Sequence, residues 1–318
     1  MSKLYSIGEL LIDFQSVGTG SLKETSQFVK NAGGAPANVC VQAVKLGQNA
    51  VYLTQVGNDG FGEFLIDTLK GEGVDATYIK KADKYDTSLA FVSFKEGGER
   101  EFSFFRSAAA DLYFTPADFK DVVFSENDYL EFGSVALKTK TAKDTHISLI
   151  ERARAAGATV CFDPNLRFNL WEDKAELKEV VLQFSKYADV IKVGEDEIEF
   201  ITGLTGEAAA KSLFTGTLKV LLLTNGGKGA KIYLADGRKF SCDGFKVKAV
   251  DTTGAGDSFF GGFIAGMMEN EVTAANAVNF GGYDGLLSFA CKCGAYTTTG
   301  FGAIPAMGNK QIIEKAVK

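Results

Sequence analysis

The stretch Asp251-Thr252-Thr253-Gly254-Ala255-Gly256-Asp257, continuing as Ser258-Phe-Phe-Gly-Gly-Phe263, decides how the rest of the chain is read. Small residues at Gly254, Ala255 and Gly256 let backbone N–H groups converge without side chains in the way. The apolar run from Phe259 reads as a helix, so those amides sit at its positive end. That setting suits an anion, above all a phosphate. Asp257 is the odd member, because a carboxylate beside a phosphate is repelled unless it has work to do. The natural work is to take a proton from a hydroxyl that attacks the phosphorus.

With 318 residues, the chain has room for one large α/β domain or two modest ones. Its 46% hydrophobic content, against 23% charged, is enough to bury a full core. A net charge of −6 argues against nucleic acid or an anionic membrane surface as partner, and leaves room for a small anion held by local donors. No apolar run approaches the roughly 20 residues that span a bilayer. Residues 1–5 run straight into a strand-like segment, which leaves no room for a signal peptide. Cys40, Cys161, Cys242, Cys291 and Cys293 are odd in number and form no CxxC pair. Three of them lie in apolar surroundings, so reduced core thiols are favoured over a metal or redox pair at Cys291 and Cys293. A cytoplasmic protein is expected. The single histidine, His146, falls on an amphipathic helix and is expected at the surface. With one histidine, a Ser-His-Asp triad or a His-rich zinc site is disfavoured, and base catalysis falls to a carboxylate.

Along the chain, residues 4–14 (LYSIGELLIDF) read as one opening buried strand that carries Glu9 and Asp13. Helical spacing follows over 35–46, a strand over 50–56, and a helix over 62–71 closed by glycine. Two alternating runs, 87–95 and 100–106, flank Glu96-Gly97-Gly98-Glu99 and predict a β-hairpin. From Tyr129 the rhythm becomes strand–helix alternation. Strands are predicted at 129–132, 159–162, 190–193, 219–224 and 231–234, and helices at 142–156 and 175–187. Repeated β-α units imply a mostly parallel sheet covered by helices on both faces, with ligands at the carboxyl ends of its strands. Asp13, Asp163, Thr224 and the 251–257 loop all fall near such ends. The polar stretch 16–27 and the hairpin read as a small β lid over the cleft.

Several further clusters carry candidate chemistry. Asn31-Ala-Gly33-Gly34-Ala-Pro36-Ala-Asn38 opens the first helix and offers glycine amides and an Asn38 amide to a polyol, or only a glycine turn with a helix cap. Asp163-Pro-Asn165-Leu-Arg167 follows a strand, where its polar groups are either turn formers or ligands for sugar and phosphate oxygens. Arg106 ends the hairpin strand and can reach in from the lid. Thr224-Asn-Gly226-Gly-Lys-Gly229 is a glycine-rich turn after a buried strand, and it is no Walker A loop. No GxGxxG in the right context and no kinase HRD and DFG pair accompany it. The acidic run Glu195-Asp196-Glu197-Ile-Glu199 suits a helix first turn, or a carboxylate holding water on Mg²⁺.

Taken together, these motifs resemble the PfkB (ribokinase-like) family of carbohydrate kinases over nearly the whole chain. The resemblance is carried by Ala32-Gly33-Gly34-Ala-Pro-Ala-Asn38 through Gly57 and Gly62, and by Asp251 to Asp257. It implies a single domain over 1–318, a three-layer αβα fold with a small β-sheet lid formed by about 14–30 and 87–110. It also implies ATP with Mg²⁺, room for a monovalent cation, and phosphorylation of a sugar hydroxyl. By that likeness Asp257 is the base, and Gly254, Ala255 and Gly256 form the anion hole. Thr224, Gly226 and Gly229 line the ATP site, while Asp13, Gly33, Gly34, Asn38, Arg106 and Arg167 hold the sugar. Glu197 matches the glutamate of the family's N-x-x-E metal motif, whose asparagine is here Gly194. Gly282-Tyr283-Asp284 stands where the family usually has an Ala-Asn-Ala-like run beside adenine. Within the family, residues 8–14 and 163–167 look most like the fructokinases, which implies D-fructose as acceptor and fructose 6-phosphate as product. The 2-keto-3-deoxygluconate kinases share much of that pattern, but the absence of a tyrosine hydroxyl at Phe104 and Phe105 favours a neutral sugar. A sugar-binding regulator that lost its chemistry is the reading from another class. The resemblance further implies a homodimer paired through the lid.

Overall fold

The structure, a computed structural model, describes residues 2–94 and 100–318. Its strands, in chain order, are β1 (Lys3–Ile7), β2 (Leu11–Thr19), β3 (Phe28–Gly33), β4 (Asn49–Gly57), β5 (Ile79–Ala82), β6 (Ser88–Phe94) and β7 (Arg100–Phe105), followed by β8 (Tyr129–Gly133), β9 (Thr159–Asp163), β10 (Val190–Gly194), β11 (Val220–Thr224), β12 (Gly229–Leu234) and β13 (Lys239–Asp243). The helices are α1 (Ala35–Lys45), α2 (Gly60–Gly71), α3 (Lys140–Ala155), α4 (Lys174–Ser185), α5 (Glu195–Thr202), α6 (Gly206–Ser212), α7 (Ala255–Glu269), α8 (Tyr283–Thr297) and α9 (Lys310–Ala316).

Among the described residues, nine strands form one sheet in the order β13-β12-β11-β10-β9-β8-β1-β4-β5. All its pairings from β11 to β5 are parallel, and β12 and β13 close one edge antiparallel. The inner strands are apolar on both sides because helices cover both faces. Leu4, Tyr52, Val190 and Leu222 face a core with α1, α7 and α8, whereas Ile7, Phe132, Phe162 and Val193 face a second core with α3 to α6. The sequence-predicted αβα layering is therefore the observed one. Parallel strands deliver their carboxyl ends to a single sheet edge, which brings Asp163, Gly194 and Thr224 into line.

The second sheet has four strands in the order β3-β2-β6-β7. β2 pairs antiparallel with β3 and parallel with β6, and β6 pairs antiparallel with β7 from Leu89–Phe105 to Phe94–Arg100. The turn predicted at residues 96–99 lies outside the described residues.

Several expectations need correction. Residues 4–14 are two strands in two different sheets, broken at Gly8-Glu9-Leu10. At that break the backbone of Gly8 runs so close to α1 that a Cβ there would sit 2.7 Å from Pro36 Cγ. The small sheet therefore begins at Leu11, and its second strand extends to Gly33, into what the sequence suggested was the lead-in to α1. The strands β5 and β13 were not anticipated. His146 is fully buried rather than at the surface, and its Nδ1 lies 2.8 Å from the Ala142 carbonyl oxygen. Phe114, Phe132 and Phe184 surround it, and burial pushes its pKa down to about 4. It is a neutral core residue packed between β8 and α4. The cysteines are free, and four of the five are buried, as expected for core thiols.

Candidate active site

The sequence around α7 explains its own geometry. Gly254 is the N-cap, held at φ 75°, and a Cβ there would meet Ala303 Cβ at 2.5 Å. Glycine is thus required both by conformation and by space. Asp251 braces the loop. Its Oδ1 accepts from the Thr253 amide at 2.9 Å and hydroxyl at 2.7 Å, and its Oδ2 from the Gly302 amide at 3.0 Å. Below, Ser258 Oγ donates to Gln42 Oε1 at 2.8 Å and accepts from Thr297 Oγ1 at 2.8 Å. That buried network ties α7 to α1 and α8.

Asp257 lies in the first turn of α7 and is 8% exposed. Its Oδ2 accepts from Asn38 Nδ2 at 2.8 Å, and no described residue donates to Oδ1. Asn38 Oδ1 is itself buried without a partner. These groups open into a cavity of about 470 Å³ between the large and small sheets, a size that fits a small ligand. Gly254, Gly256, Thr252 and Asp257 form one wall, and Asp13, Gly34, Asn38 and Glu9 another. The 165–170 segment closes a third side, including Arg167. The small sheet contributes Gln15, Val92, Phe102 and Phe104, with Arg106 at its root.

Titratable groups crowd this cavity. Burial pushes Asp13 up to about 7 against the pull of Arg167, with Asp257 and Asp251 adding to the rise. Gly33 makes room for it, since a Cβ there would lie 2.1 Å from Asp13 Oδ2. Gly33 thus stands behind the wall, not in it. Glu9 is likewise pushed up to about 7 by burial, against Arg106. Its Oε1 accepts from the Ala35 amide at 3.1 Å at the start of α1, and its Oε2 is buried without a partner. Arg106 is paired with Asp111 at 2.5 Å, and its Nη1 is also buried without a partner. Unpartnered buried polar atoms cost about 1–3 kcal/mol each. Three of them, on Glu9, Asn38 and Arg106, belong to residues that line this one cavity, as a binding site for hydroxyl groups would require.

Two groups in this region were missed by sequence reasoning: Glu9 and Lys192. Lys192 lines the cavity from β10, and its Nζ donates to Asp163 Oδ2 at 2.8 Å. Burial pushes Asp163 up to about 6, still low enough to meet the lysine as a charged pair near neutrality. For Lys192, burial works downward, but Asp163, Glu197 and Asp257 outweigh it and raise it to about 12. The available signal was a lone charge inside the buried strand Val190-Ile-Lys192-Val.

The remaining expected residues sit apart. Ala255 begins α7 outside the cavity lining. Thr224, Gly226 and Gly229 stand at the far end of the sheet edge, beside Gly194. Their turn is shaped by close backbone packing, since a Cβ on Gly229, at φ 101°, would meet the Cys242 carbonyl oxygen at 2.0 Å. Glu197 Oε2 accepts from the Gly194 amide at 2.8 Å and Oε1 from the Leu166 amide at 2.7 Å. It therefore caps α5 and braces the 163–167 loop. Among the described residues, no group of three His, Cys, Asp or Glu side chains is placed to hold a metal. Tyr283 is buried and donates to the Ala277 carbonyl at 2.9 Å.

Comparison with known proteins agrees with this fold. The family described as pfkB family carbohydrate kinase matches residues 1–309. Fructokinase-2 of Solanum habrochaites is 40% identical over 309 residues, 96% of this chain and 92% of its own. The crystal structure of a fructokinase from Vibrio cholerae O395 with fructose, ADP and calcium ion bound superposes with a TM-score of 0.87 at 29% identity, covering 100% of this chain and 99% of the other. A fructokinase from Xylella fastidiosa with bound ATP does so with a TM-score of 0.88 at 29% identity, covering 99% and 97%. The expected resemblance holds over the whole fold.

Proposed function

This chain belongs to the pfkB family of carbohydrate kinases, and we propose that it transfers the γ-phosphoryl group of ATP to D-fructose, giving fructose 6-phosphate. The observation that carries this reading is Asp257, which is buried at the positive end of α7, anchored by Asn38 through one oxygen and open to a polyol-sized cavity through the other. Fructose and ATP are the ligands of the superposed fructokinases.

In this mechanism the sugar lies against Asp13, Gly34, Asn38, Arg106 and Arg167, with Gly33 allowing Asp13 its place. Asp257 accepts the proton of the attacking hydroxyl through its free oxygen. The amides of Gly254, Ala255 and Gly256 then stabilise charge on the phosphoryl group. ATP lies across the sheet edge toward Thr224, Gly226 and Gly229. Magnesium is proposed to enter on the ATP phosphates. Each Glu197 oxygen takes one backbone amide and keeps a further lone pair, with which it is proposed to hold water on the metal. The small sheet is proposed to act as a lid whose Phe102 and Phe104 exclude water from the cavity.

The outer residues of that sheet are unusually apolar, with Phe105 61%, Val17 56% and Val29 53% exposed, which supports a homodimer paired through it. Among the described residues no helix is long and apolar enough to cross a membrane, and free buried cysteines fit a reducing cytoplasm.

A coupled ADP-release assay with Mg-ATP and a panel of fructose, 2-keto-3-deoxygluconate, ribose, mannose and adenosine tests the proposal. Fructose should give the highest kcat/KM. Preference for the keto acid would replace the substrate, and no turnover with any acceptor would favour a binding protein.

A further inference from the structure

Helix α1 buries two amide side chains, Asn38 and Gln42, among apolar neighbours. Gln42 is fully buried, as are Val39, Cys40, Val41 and Ala43 around it. Packing α1 on α7 needs nothing polar there, since apolar groups of the same shape can replace a buried hydrogen-bonded pair almost without cost. Unlike Asn38, Gln42 does not line the cavity. Its Nε2 donates to the Gly308 carbonyl at 3.1 Å, and a carbonyl can only accept, so the amide has one orientation. That leaves Oε1 to accept from Ser258 Oγ at 2.8 Å.

The spacing gives these contacts a meaning. Asn38 and Gln42 are four residues apart on one helix, so they share a face. They meet consecutive residues of α7, with Asn38 holding Asp257 at 2.8 Å and Gln42 holding Ser258 at 2.8 Å. One turn further along α7, a Cβ on Gly261 would lie 2.8 Å from both Gln42 Cβ and the Val39 carbonyl oxygen. The helices thus approach backbone to backbone, and the two amides set how α7 is rotated about its axis. A single hydrogen bond at Asn38 could pivot with Asp257. The second, at Gln42, prevents that.

The other arm of Gln42 reaches the segment behind Gly254. A Cβ on Gly254 would sit 2.5 Å from Ala303 Cβ, and the Gly302 amide donates to Asp251 Oδ2 at 3.0 Å. Lys45, three residues beyond Gln42 on α1, holds the same segment by donating to the Ile304 and Met307 carbonyls at 3.1 and 3.2 Å. Gln42 therefore grips both supports of the Gly254–Asp257 turn, the helix that follows it and the segment that backs it.

We infer that Gln42 is a positioning residue for phosphoryl transfer, fixing the first turn of α7 and with it the aim of the free Asp257 oxygen and of the Gly254, Ala255 and Gly256 amides. This inference rests on the kinase reading above. In that step the acceptor oxygen bonds to the γ-phosphorus and its proton passes to Asp257. The bond from phosphorus to the β,γ-bridging oxygen breaks, and its electron pair leaves with ADP. Gln42 touches neither substrate, so its loss should misalign the reacting groups rather than weaken sugar binding.

The test measures kcat and acceptor KM at saturating Mg-ATP for wild type, Gln42→Met, Ser258→Ala, their double variant and Gln42→Glu. Thermal melting checks that each is folded at the assay temperature. Gln42→Met keeps the length of the side chain and removes both hydrogen bonds. Its kcat should fall by about 10–10²-fold, the scale of a small misplacement of reacting groups, with the acceptor KM within about threefold of wild type. Ser258→Ala should lose a similar factor and the double variant little more, since both break one connection. Gln42→Glu supplies a readout that packing alone would not move. Its protonated carboxyl can donate to Gly308 and accept from Ser258 as the amide does, whereas the carboxylate can only accept. Its kcat relative to wild type should be near unity at pH 6 and fall about tenfold or more by pH 9, as a buried glutamate ionises.

The inference is overturned if Gln42→Met keeps kcat within about threefold of wild type, or if KM rises in step with the fall in kcat. Losses that multiply in the double variant, or a Gln42→Glu ratio that is flat across pH, overturn it equally. Should Gln42→Met fail to fold, Ser258→Ala and the pH ratio of Gln42→Glu decide the matter. Wild type that phosphorylates none of the sugars sinks the kinase reading and this role together. Active wild type with any of the contrary results sinks the role of Gln42 alone.

Discussion

At one end of the sheet edge, the carboxyl groups of Glu9, Asp13 and Asp257 share a cavity with Arg106, Arg167 and Lys192. At the other end, beyond Thr224, residues 226–228 are exposed and the turn is held by backbone packed on backbone. There, Cβ atoms on Gly229 and Gly244 would strike the Cys242 and Gly227 carbonyl oxygens at 2.0 and 1.9 Å. The first end is a preorganised charge environment, costly to bury and held by α1, α7 and the sheet beneath it. The second is a shape, defined by where side chains are missing. A charge change should therefore damage the first end without unfolding it, and an added methyl should damage the second through its backbone.

The largest expected effect comes from the charged end. Asp257→Asn keeps the size of the side chain and removes the base, so kcat should fall by roughly 10²–10⁴-fold, the usual range for general-base loss. Sugar affinity and Tm should change little, because Asn38 can still bond to the remaining amide oxygen. Steady-state kinetics measure this directly, and near-normal turnover would remove Asp257 from the role. At the glycine end, Gly229→Ala forces a side chain into φ 101° as well as into the Cys242 carbonyl. The strained conformation alone costs about 1–3 kcal/mol, at roughly 2–4 °C of Tm per kcal/mol for a chain of this general size. The KM for ATP should rise and that for the sugar should not. A variant with unchanged Tm and ATP KM would show that this turn is looser than its packing implies.

The same contrast explains what could be read from the sequence. The parallel sheet was legible because β8 to β11 are short apolar runs separated by amphipathic helices, a local pattern. Asp257 was legible as a candidate because the glycines proposed to bind an anion are its immediate neighbours. Lys192 was not, since its meaning depends on Asp163, 29 residues away, and on a glycine in another element. Glu9 was hidden by continuity, because in LYSIGELLIDF only Gly8 and Glu9 interrupt an otherwise strand-like run where the chain leaves one sheet for another. What turns it there is the contact of Gly8 with Pro36, which no spacing rule reveals. His146 misled for a related reason. Its helix is amphipathic, but the hydrophobic face extends further than the sequence suggested, and three phenylalanines from other elements enclose the ring.

The smallest predicted effect isolates Asp13. Its carboxyl has an ordinary pKa near 3.9 in the unfolded chain and is raised to about 7 by burial in the folded one. Between those values the folded protein binds the proton more tightly, so its stability falls as pH rises from about 4 to about 7 and levels off above. Asp13→Asn is neutral throughout. The variant should match wild type in Tm at pH 4 and gain on it progressively up to pH 7. Glu9 titrates in the same window, but it is present in both proteins and cancels in the difference. Bound fructose should reverse the trend, because sugar hydroxyls donating to the carboxylate favour its charged form. Fructose should therefore raise the Tm of wild type more at pH 8 than at pH 5, and that pH dependence should shrink in Asp13→Asn. Equal stabilisation at both pH values in wild type would mean that Asp13 does not touch the sugar. The charge at this end of the cleft would then serve the phosphoryl group alone.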